Sequence, residues 1–99
     1  MWVKDRADKF LRHGGKTSRR ATIRRLTAII QDIQQHEPGV RKPEWVGRAH
    51  VHRYYERHSH LAVSTQRDHY YAVKLLWQWL KRTGQPPKPK SLTSEMVSL

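Results

Sequence analysis

One stretch of this 99-residue chain, Ser64–Gly84, carries the signals of a single long helix with a defined start and a defined stop. Ser64 or Thr65 can cap its N-terminus, because a side-chain oxygen at that position accepts a backbone N–H that the helix leaves unpaired. Gly84 can supply the left-handed residue that ends many helices, and the prolines that follow it prevent the helix from continuing. The charges near the two ends agree with the helix dipole: Asp68 in the first turn, and Lys81 and Arg82 in the last.

This predicted helix has two contrasting faces. Apolar residues recur at helical spacing and predict a face that packs into the core: Val73, Leu76, Trp77 and Leu80. A second face repeats basic and planar hydrogen-bonding side chains: Arg67, Tyr71, Lys74, Gln78 and Lys81. Because such groups can reach phosphates and base edges, the second face suits a nucleic-acid groove, and Tyr71 is its best candidate for a phosphate or base-edge hydrogen bond.

The N-terminal half predicts two further helices. Trp2–Arg12 has apolar residues on one side and charged residues around them, and it ends before a Gly-Gly pair. A second helix, capped by Thr17 or Ser18, runs to about Gln35. Its apolar stripe follows helical spacing: Ile23, Leu26, Ile30 and Ile33.

The middle of the chain predicts a loop and a third helix. A Pro-Gly pair breaks the chain, and residues 41–47 form a loop in which Trp45 and Val46 point inward. Arg48–His58 follows as a helix with these packing candidates: Ala49, Val51, Tyr54 and Tyr55. There is no internal repeat and no alternation typical of strands. We therefore expect an all-α fold, a compact bundle of four to five helices.

The charge balance constrains the partner more than the fold. Lys and Arg number 20 against 8 Asp and Glu, which gives a formal net charge of +12. Such a charge repels itself in a folded chain, so a polyanion is the expected partner. The absence of cysteine excludes disulfides and Cys-based zinc sites and fits a reducing cytoplasm. No apolar run approaches the roughly 20 residues of a membrane helix, and the N-terminus lacks a secretory signal, so no membrane partner is expected.

Four arginines gather at the start of the second predicted helix: Arg19, Arg20, Arg24 and Arg25. Their charge opposes the helix dipole there, which is unfavourable for an isolated helix. A polyanion would relieve that cost, because a guanidinium can grip phosphate with two hydrogen bonds or read guanine. A solvated basic surface is the alternative. We include all four as candidate DNA-binding residues.

The last predicted helix resembles a family pattern. Residues 72–84, AVKLLWQWLKRTG, look like the last main helix of the N-terminal core-binding domain of tyrosine recombinases, the phage-type integrases. These residues fill the places of the pattern: Thr65, Ala72, Val73, Lys74, Leu76, Trp77, Trp79, Leu80 and Gly84. Residues 14–26 resemble the start of the same domain, and residues 50–55 occupy the place of its third helix. Residues 91–99, SLTSEMVSL, resemble the Leu-Thr-x-x-Glu segment that opens the catalytic domain.

The resemblance implies a SAM-like integrase N-terminal domain in residues 1–84. Residues 85–99 would then be a proline- and lysine-rich linker and the start of a catalytic domain. The family's second and fourth helices face the major groove of double-stranded DNA, which would bring these residues to the DNA: Arg20, Arg24, Arg67, Lys74, Gln78 and Lys81. The expected role is to position a site-specific recombinase on its recombination site in the cytoplasm of a bacterium, encoded by the bacterium, a phage or a mobile element. Other recombinase subunits would be further partners on DNA.

Catalysis, metal binding and base stacking are weaker interpretations. His50-x-x-Arg53 matches one element of the recombinase active site, but that family's catalytic set follows the linker, so we expect a binding domain that does not cut. The histidines form no complete ligand set for zinc, and we expect no metal, cofactor or small-molecule substrate. Stacking of single-stranded bases on the tryptophans and tyrosines competes with their use in the core.

Two other functions stay open. One is a stand-alone small basic helical regulator that binds DNA or RNA, of the excision or plasmid-maintenance type. The other is an interaction module for RNA or for a protein partner.

Overall fold

The computed structural model describes residues 6 and 16–92, and within them it contains four helices described over their full length, a helical turn at residues 90–92 and no strand. The helices are α1 (Lys16–His36), a short 3-10 helix (Pro43–Trp45), α2 (Arg48–Arg57) and α3 (Val63–Trp79). The all-α prediction is confirmed for this part of the chain. The helix predicted for Trp2–Arg12 lies outside the described residues, apart from Arg6, which is helical.

Helix α1 is the element against which both other long helices pack. It begins at Lys16, so Thr17 and Ser18, predicted as caps, lie inside its first turn instead. Its predicted apolar stripe is confirmed, with the first member only partly buried: Ile23, Leu26, Ile30 and Ile33. Ile29 is buried as well, because α1 is covered on two sides. Each fully buried aliphatic side chain contributes about 1.5–3 kcal/mol.

Helices α2 and α3 complete the core. The predicted core face of α3 is confirmed, with its last member partly buried: Val73, Leu76, Trp77 and Leu80. Three more side chains of α3 are buried: Tyr70, Ala72 and Leu75. From α2, Val51, Tyr54 and Tyr55 are buried as predicted, but Ala49 is exposed. Residues turn by about 100° along a helix, which puts Ala49 nearly opposite Val51.

Helix α3 starts without the predicted side-chain cap. Its N-cap residue is Ala62, and Ser64 and Thr65 lie within the first turn. Asp68 therefore falls beyond the first turn, where the dipole has less effect on it. The side-chain amide of Gln66 holds the preceding turn instead, donating hydrogen bonds to two of its carbonyls at 2.6 and 3.2 Å.

Helix α3 also ends earlier than predicted, because Lys81 adopts the left-handed conformation with φ 55°. The N–H of Lys81 donates to the carbonyl of Gln78 at 3.0 Å, and the N–H of Arg82 donates to the carbonyl of Trp77 at 3.1 Å. This pair of bonds is a Schellman motif. The Arg82 guanidinium lies 4.5 Å from the centroid of the Trp77 ring and supplies the contact that usually accompanies the motif. Gly84, with φ 80°, bends the chain only later.

The loop before α2 buries one of its two predicted residues. Val46 is fully buried, whereas the Trp45 side chain is 52% exposed, so the inward position predicted for Trp45 is wrong. The two residues are adjacent at the end of the 3-10 helix and point in different directions. Lys42 lies 5.8 Å from the centroid of the Trp45 ring, which leaves this indole beside a cation at the surface.

The proline-rich segment after α3 is extended, as its composition predicts, but it is packed rather than solvated. All three of its prolines are buried: Pro86, Pro87 and Pro89. The Tyr55 hydroxyl donates to the carbonyl of Pro87 at 2.9 Å, and the Ser91 hydroxyl donates to the side-chain oxygen of Gln66 at 2.7 Å. Residues 85–92 therefore behave as part of the helical body, because hydrogen bonds and buried rings hold them there.

Candidate nucleic-acid interface

The carboxylate of Asp32 is neutralised where α1 meets α2. Asp32 accepts hydrogen bonds from Arg57 at 2.6 Å and from His58 at 3.1 Å. Burial alone would raise the pKa of Asp32, but the hydrogen bonds and charges of Arg57 and His58 outweigh it and lower that pKa. Asp32 is therefore an anion at neutral pH, and its negative charge is balanced within the protein by Arg57.

A second acidic side chain, Glu37, is held by α2 in the same way. The hydrogen bonds from Arg53, including one at 2.9 Å from Nε, lower the pKa of Glu37. His50 accepts the backbone N–H of Gly47 at 2.9 Å, while its Nε2 lies 3.8 Å from Glu37. His50 and Arg53, the His-x-x-Arg pair of the sequence, thus fasten the start of α2 and its contact with α1.

The exposed face of α3 carries four of the five residues predicted for it. We call this set the α3 ridge: Arg67, Tyr71, Lys74 and Gln78. Tyr71 is 52% exposed, Arg67 and Gln78 are exposed, and Lys74 is half-buried. From Tyr70 onward most of the circumference of α3 is buried in the core, which leaves a narrow face to solvent, whereas the first two turns are more open. The spacing argument was sufficient to find it.

Lys81, the fifth predicted residue, lies outside the α3 ridge. Helix α3 ends at Trp79, and the left-handed backbone at Lys81 turns the chain before the helical spacing can reach it. Lys81 instead lines a shallow groove of about 520 Å³ with Arg48, Arg82, Thr83 and the edge of Trp77. The prediction that Lys81 continues the ridge is therefore corrected.

The four arginines of α1 do not share one face. Arg20 and Arg24 are exposed, whereas Arg19 and Arg25 are half-buried. Arg25 pairs with Asp68 of α3 at 3.9 Å, a separation typical of a weak surface ion pair. Helical geometry explains the split, because neighbouring residues point about 100° apart. Arg20 and Arg24 are thus the α1 residues best placed for a partner.

The Arg25–Asp68 pair marks where the exposed faces of α1 and α3 approach each other. Tyr71 lies about 60° around α3 from Asp68, whereas Arg24 points about 100° away from Arg25 on α1. Both members of the pair are partly exposed. This contact joins the surface of α1 to that of α3 close to Tyr71 of the α3 ridge. None of the described carboxylates pairs with Arg20, Arg24 or Lys74.

Three tyrosines serve the interior rather than this surface. Burial raises the pKa of Tyr54 to about 12 and raises the pKa of Tyr55 further, so both hydroxyls stay protonated and act as donors. Tyr54 shares a hydrogen bond of 3.0 Å with Nδ1 of His69, and Tyr70 donates to Gln85 at 3.0 Å. Burial, then the charges of Arg25 and His58, lowers the pKa of His69, which keeps that ring neutral near pH 7.

Sequence reasoning missed the groove around Lys81. Its residues come from the start of α2 and from the turn after α3, far apart in the chain, and no periodic pattern joins them. Arg48 donates to the carbonyl of Gln85 at 2.7 Å, and Arg82 donates to the carbonyl of Glu44 at 3.0 Å. The only local signal was the separation of five residues between Trp77 and Arg82, because a Schellman motif brings residues with that separation into contact.

Two chemical features bear on alternative partners. In the part of the chain that the structure describes, no three histidine or acidic side chains converge as a metal-ligand set. None of the helices in residues 16–92 combines the length and the apolar character that a bilayer crossing requires.

Comparison with protein-family models, with curated proteins and with solved structures finds no match to this chain. Its partner is therefore inferred from its own charges and geometry.

Proposed function

We propose that this chain binds double-stranded DNA through the α3 ridge and the exposed arginines of α1. We further propose that it acts as the core-binding domain of a site-specific tyrosine recombinase, or integrase, and positions that enzyme on its recombination site without cutting DNA itself. The resemblance of residues 72–84 to the last helix of that domain motivates the second step. A SAM-like integrase fold is part of the same proposal.

The observation that carries the proposal is that some cations form ion pairs with carboxylates and others do not. The carboxylates of Asp32 and Glu37 form ion pairs with cations of α2, whereas Arg20, Arg24 and Lys74 face no described carboxylate. The chain as a whole bears +12, and these three cations belong to the excess that acids do not offset. A polyanion gains most from such a surface because its condensed counterions are released on binding.

Duplex DNA fits this surface better than a single strand does. The ridge lies on a helix fixed by a buried core, and an α-helix matches the width of the major groove. Arg67 and Lys74 suit phosphates, and Gln78 suits a base edge. A single-strand site would instead expose several aromatic rings for stacking. Here Trp77, Tyr54 and Tyr70 are buried, and the rings exposed among the described residues, Trp45 and Tyr71, belong to separate helices.

The test is fluorescence anisotropy with a duplex of roughly 30 base pairs, a single strand and an RNA hairpin, each across a salt series. We expect preference for the duplex and a steep loss of affinity with salt. The double variant Arg67→Ala/Lys74→Ala should bind the duplex roughly tenfold more weakly and flatten the salt slope by about 2, because each lost phosphate contact contributes about 0.9.

A matched control removes the same charge elsewhere. Arg41 and Lys90 are exposed and lie off the ridge, so Arg41→Ala/Lys90→Ala should retain most of the affinity. Circular dichroism should show unchanged helicity in both double variants. Equal losses in the two variants would indicate a nonspecific polycation and contradict the ridge as the interface. Preference for the RNA hairpin would instead favour the stand-alone RNA-binding regulator.

A further inference from the structure

The shallow groove beyond the end of α3 gathers three cations from separate segments. Arg48 comes from the first turn of α2, while Lys81 and Arg82 come from the turn after α3. Trp77 and Thr83 complete the lining, and no carboxylate contributes to it. None of the three cations forms an ion pair with a carboxylate of the described residues.

The two guanidinium groups are fixed by neutral acceptors, which position them without cancelling their charge. Arg48 donates to the carbonyl of Gln85, and its terminal nitrogen lies 3.8 Å from the place of a Cβ on Gly84. Arg82 donates to the carbonyl of Glu44 and stacks on Trp77. Burial and the nearby charge of Arg48 lower the pKa of Arg82. Two like charges are thus held near each other, at a cost that an anion would remove.

Lys81 adds a second, independent observation. It is the one non-glycine residue with positive φ among residues 16–92, and its side chain is exposed at the groove. Glycine adopts this conformation at lower cost than lysine. The Schellman motif requires a left-handed residue here, and glycine is the usual one, so what distinguishes this turn is the lysine charge that it holds at the groove.

We infer that this groove is a phosphate-binding site, distinct from the α3 ridge, and that it holds a backbone phosphate of the bound nucleic acid. Arg48 and Arg82 offer forked donors, which match the oxygens of a phosphate, and Lys81 adds a point charge. The inference rests on the proposed function only in assigning the phosphate to nucleic acid. A free phosphate has the same chemistry, so the experiment separates the two sources.

The decisive variant is Lys81→Gly, because it removes the positive charge and also lowers the cost of the left-handed backbone conformation at this position. We expect its melting temperature to rise, while its affinity for the 30-base-pair duplex falls roughly fivefold and its salt slope flattens by about 1. Lys90→Ala removes the same charge from an exposed site elsewhere and should change duplex affinity little. An equal loss of affinity in Lys81→Gly and Lys90→Ala would overturn the inference.

A second measurement uses inorganic phosphate alone. In ¹⁵N-resolved NMR of the intact chain, phosphate should shift the amides of residues 81–84 and the side-chain signals of Arg48 and Arg82. Those shifts should shrink in Lys81→Gly and in Arg48→Gln. Shifts spread evenly over all exposed cations would contradict a formed site.

The two proposals can fail separately. If Arg67→Ala/Lys74→Ala loses duplex binding while Lys81→Gly keeps it, and phosphate leaves residues 81–84 unshifted, the groove is not a phosphate site and the proposed function stands. If the protein binds no duplex but phosphate shifts the groove signals, the proposed function fails and the groove binds phosphate from another source.

Discussion

The cations of α2 and those of the α3 ridge have opposite roles in this molecule. On α2, Arg53 and Arg57 face Glu37 and Asp32 and join the helix to α1. On the ridge, Lys74 faces no described carboxylate, and its ammonium lies 5.8 Å from the centroid of the neutral Tyr70 ring. Both surfaces carry basic side chains, so the difference between them arises from where the few acids lie.

The difference between these two surfaces shows that net charge alone does not locate a binding surface. The chain has eight acids, and two of them, Asp32 and Glu37, engage two arginines and several histidines. Arg53 and Arg57 of α2 therefore stabilise the contact between α1 and α2. A partner with negative charge therefore meets the remaining surface, which includes the α3 ridge, Arg20 and Arg24.

The largest effect is expected where the α2 cations lose their acid. Asp32→Ala leaves Arg57 and His58 without their acceptor, and charged hydrogen bonds contribute about 1.5–3 kcal/mol each. We expect urea unfolding to show a loss of about 2–3 kcal/mol. Duplex affinity, measured under conditions where the variant is folded, should be unchanged or slightly higher because one negative charge is gone.

Glu56→Ala is the matched control for Asp32→Ala. Glu56 is exposed on α2, so its removal deletes the same charge without breaking a buried contact, and stability should change by less than about 0.5 kcal/mol. If Asp32→Ala were as stable as Glu56→Ala, the ion pairs of α2 would not be structural and the contrast between the surfaces would disappear.

A smaller effect is expected from pH. His69 has a lowered pKa in the folded chain, so protonation favours the unfolded state. Its contribution is complete above about pH 6.5 and is lost as pH falls below that value. His69→Gln should therefore flatten the fall in unfolding free energy between about pH 7 and 5.5, by less than the ~1.4 kcal/mol per pH unit of one full proton.

The parent chain provides the comparison for that measurement. Asp32 and Glu37 also have lowered pKa values, but carboxylates lose their contribution only as pH falls below about 4.5, which separates their effect from that of His69. A His69→Gln curve identical to that of the parent chain would show that burial of His69 has no energetic effect.

The smallest effect distinguishes two adjacent arginines of α1. Arg24 is exposed and faces no described carboxylate, whereas Arg25 pairs with Asp68. Arg24→Ala should weaken duplex binding a few-fold and flatten the salt slope by about 1, because a phosphate contact is lost. Arg25→Ala should weaken it less and cost at most about 1 kcal/mol of stability. The reverse order in anisotropy titrations would place the interface on the other side of α1.

Helical spacing accounted for most of the fold and for the α3 ridge. Leu26, Ile33, Val73 and Leu76 are buried as predicted because a repeat of three and four residues fixes one side of a helix before any tertiary contact forms. Tyr71 is exposed by the same rule. Assignment to the integrase core-binding domain remains a proposal, which the binding experiments address.

Helix ends and the packing of loops were harder to predict. Ser64 has the chemistry of a cap but lies inside α3, because Gln66 already holds the preceding turn. Trp45 was expected inside but is exposed, since the fully buried Val46 takes the inward position. Caps and single loop residues depend on contacts with distant segments, which local patterns do not contain.

By itself, the sequence determined that this chain is helical, strongly basic and apolar along one side of α1 and α3, because composition and periodicity are local properties. Only the tertiary structure decided which cations form ion pairs with Asp32 and Glu37, and which face no carboxylate. It alone brought Arg48 beside Arg82 and ended α3 at a left-handed Lys81. Those outcomes depend on distances between residues far apart in the chain, and Coulomb energies and hydrogen bonds are set by distance in space rather than by separation in sequence.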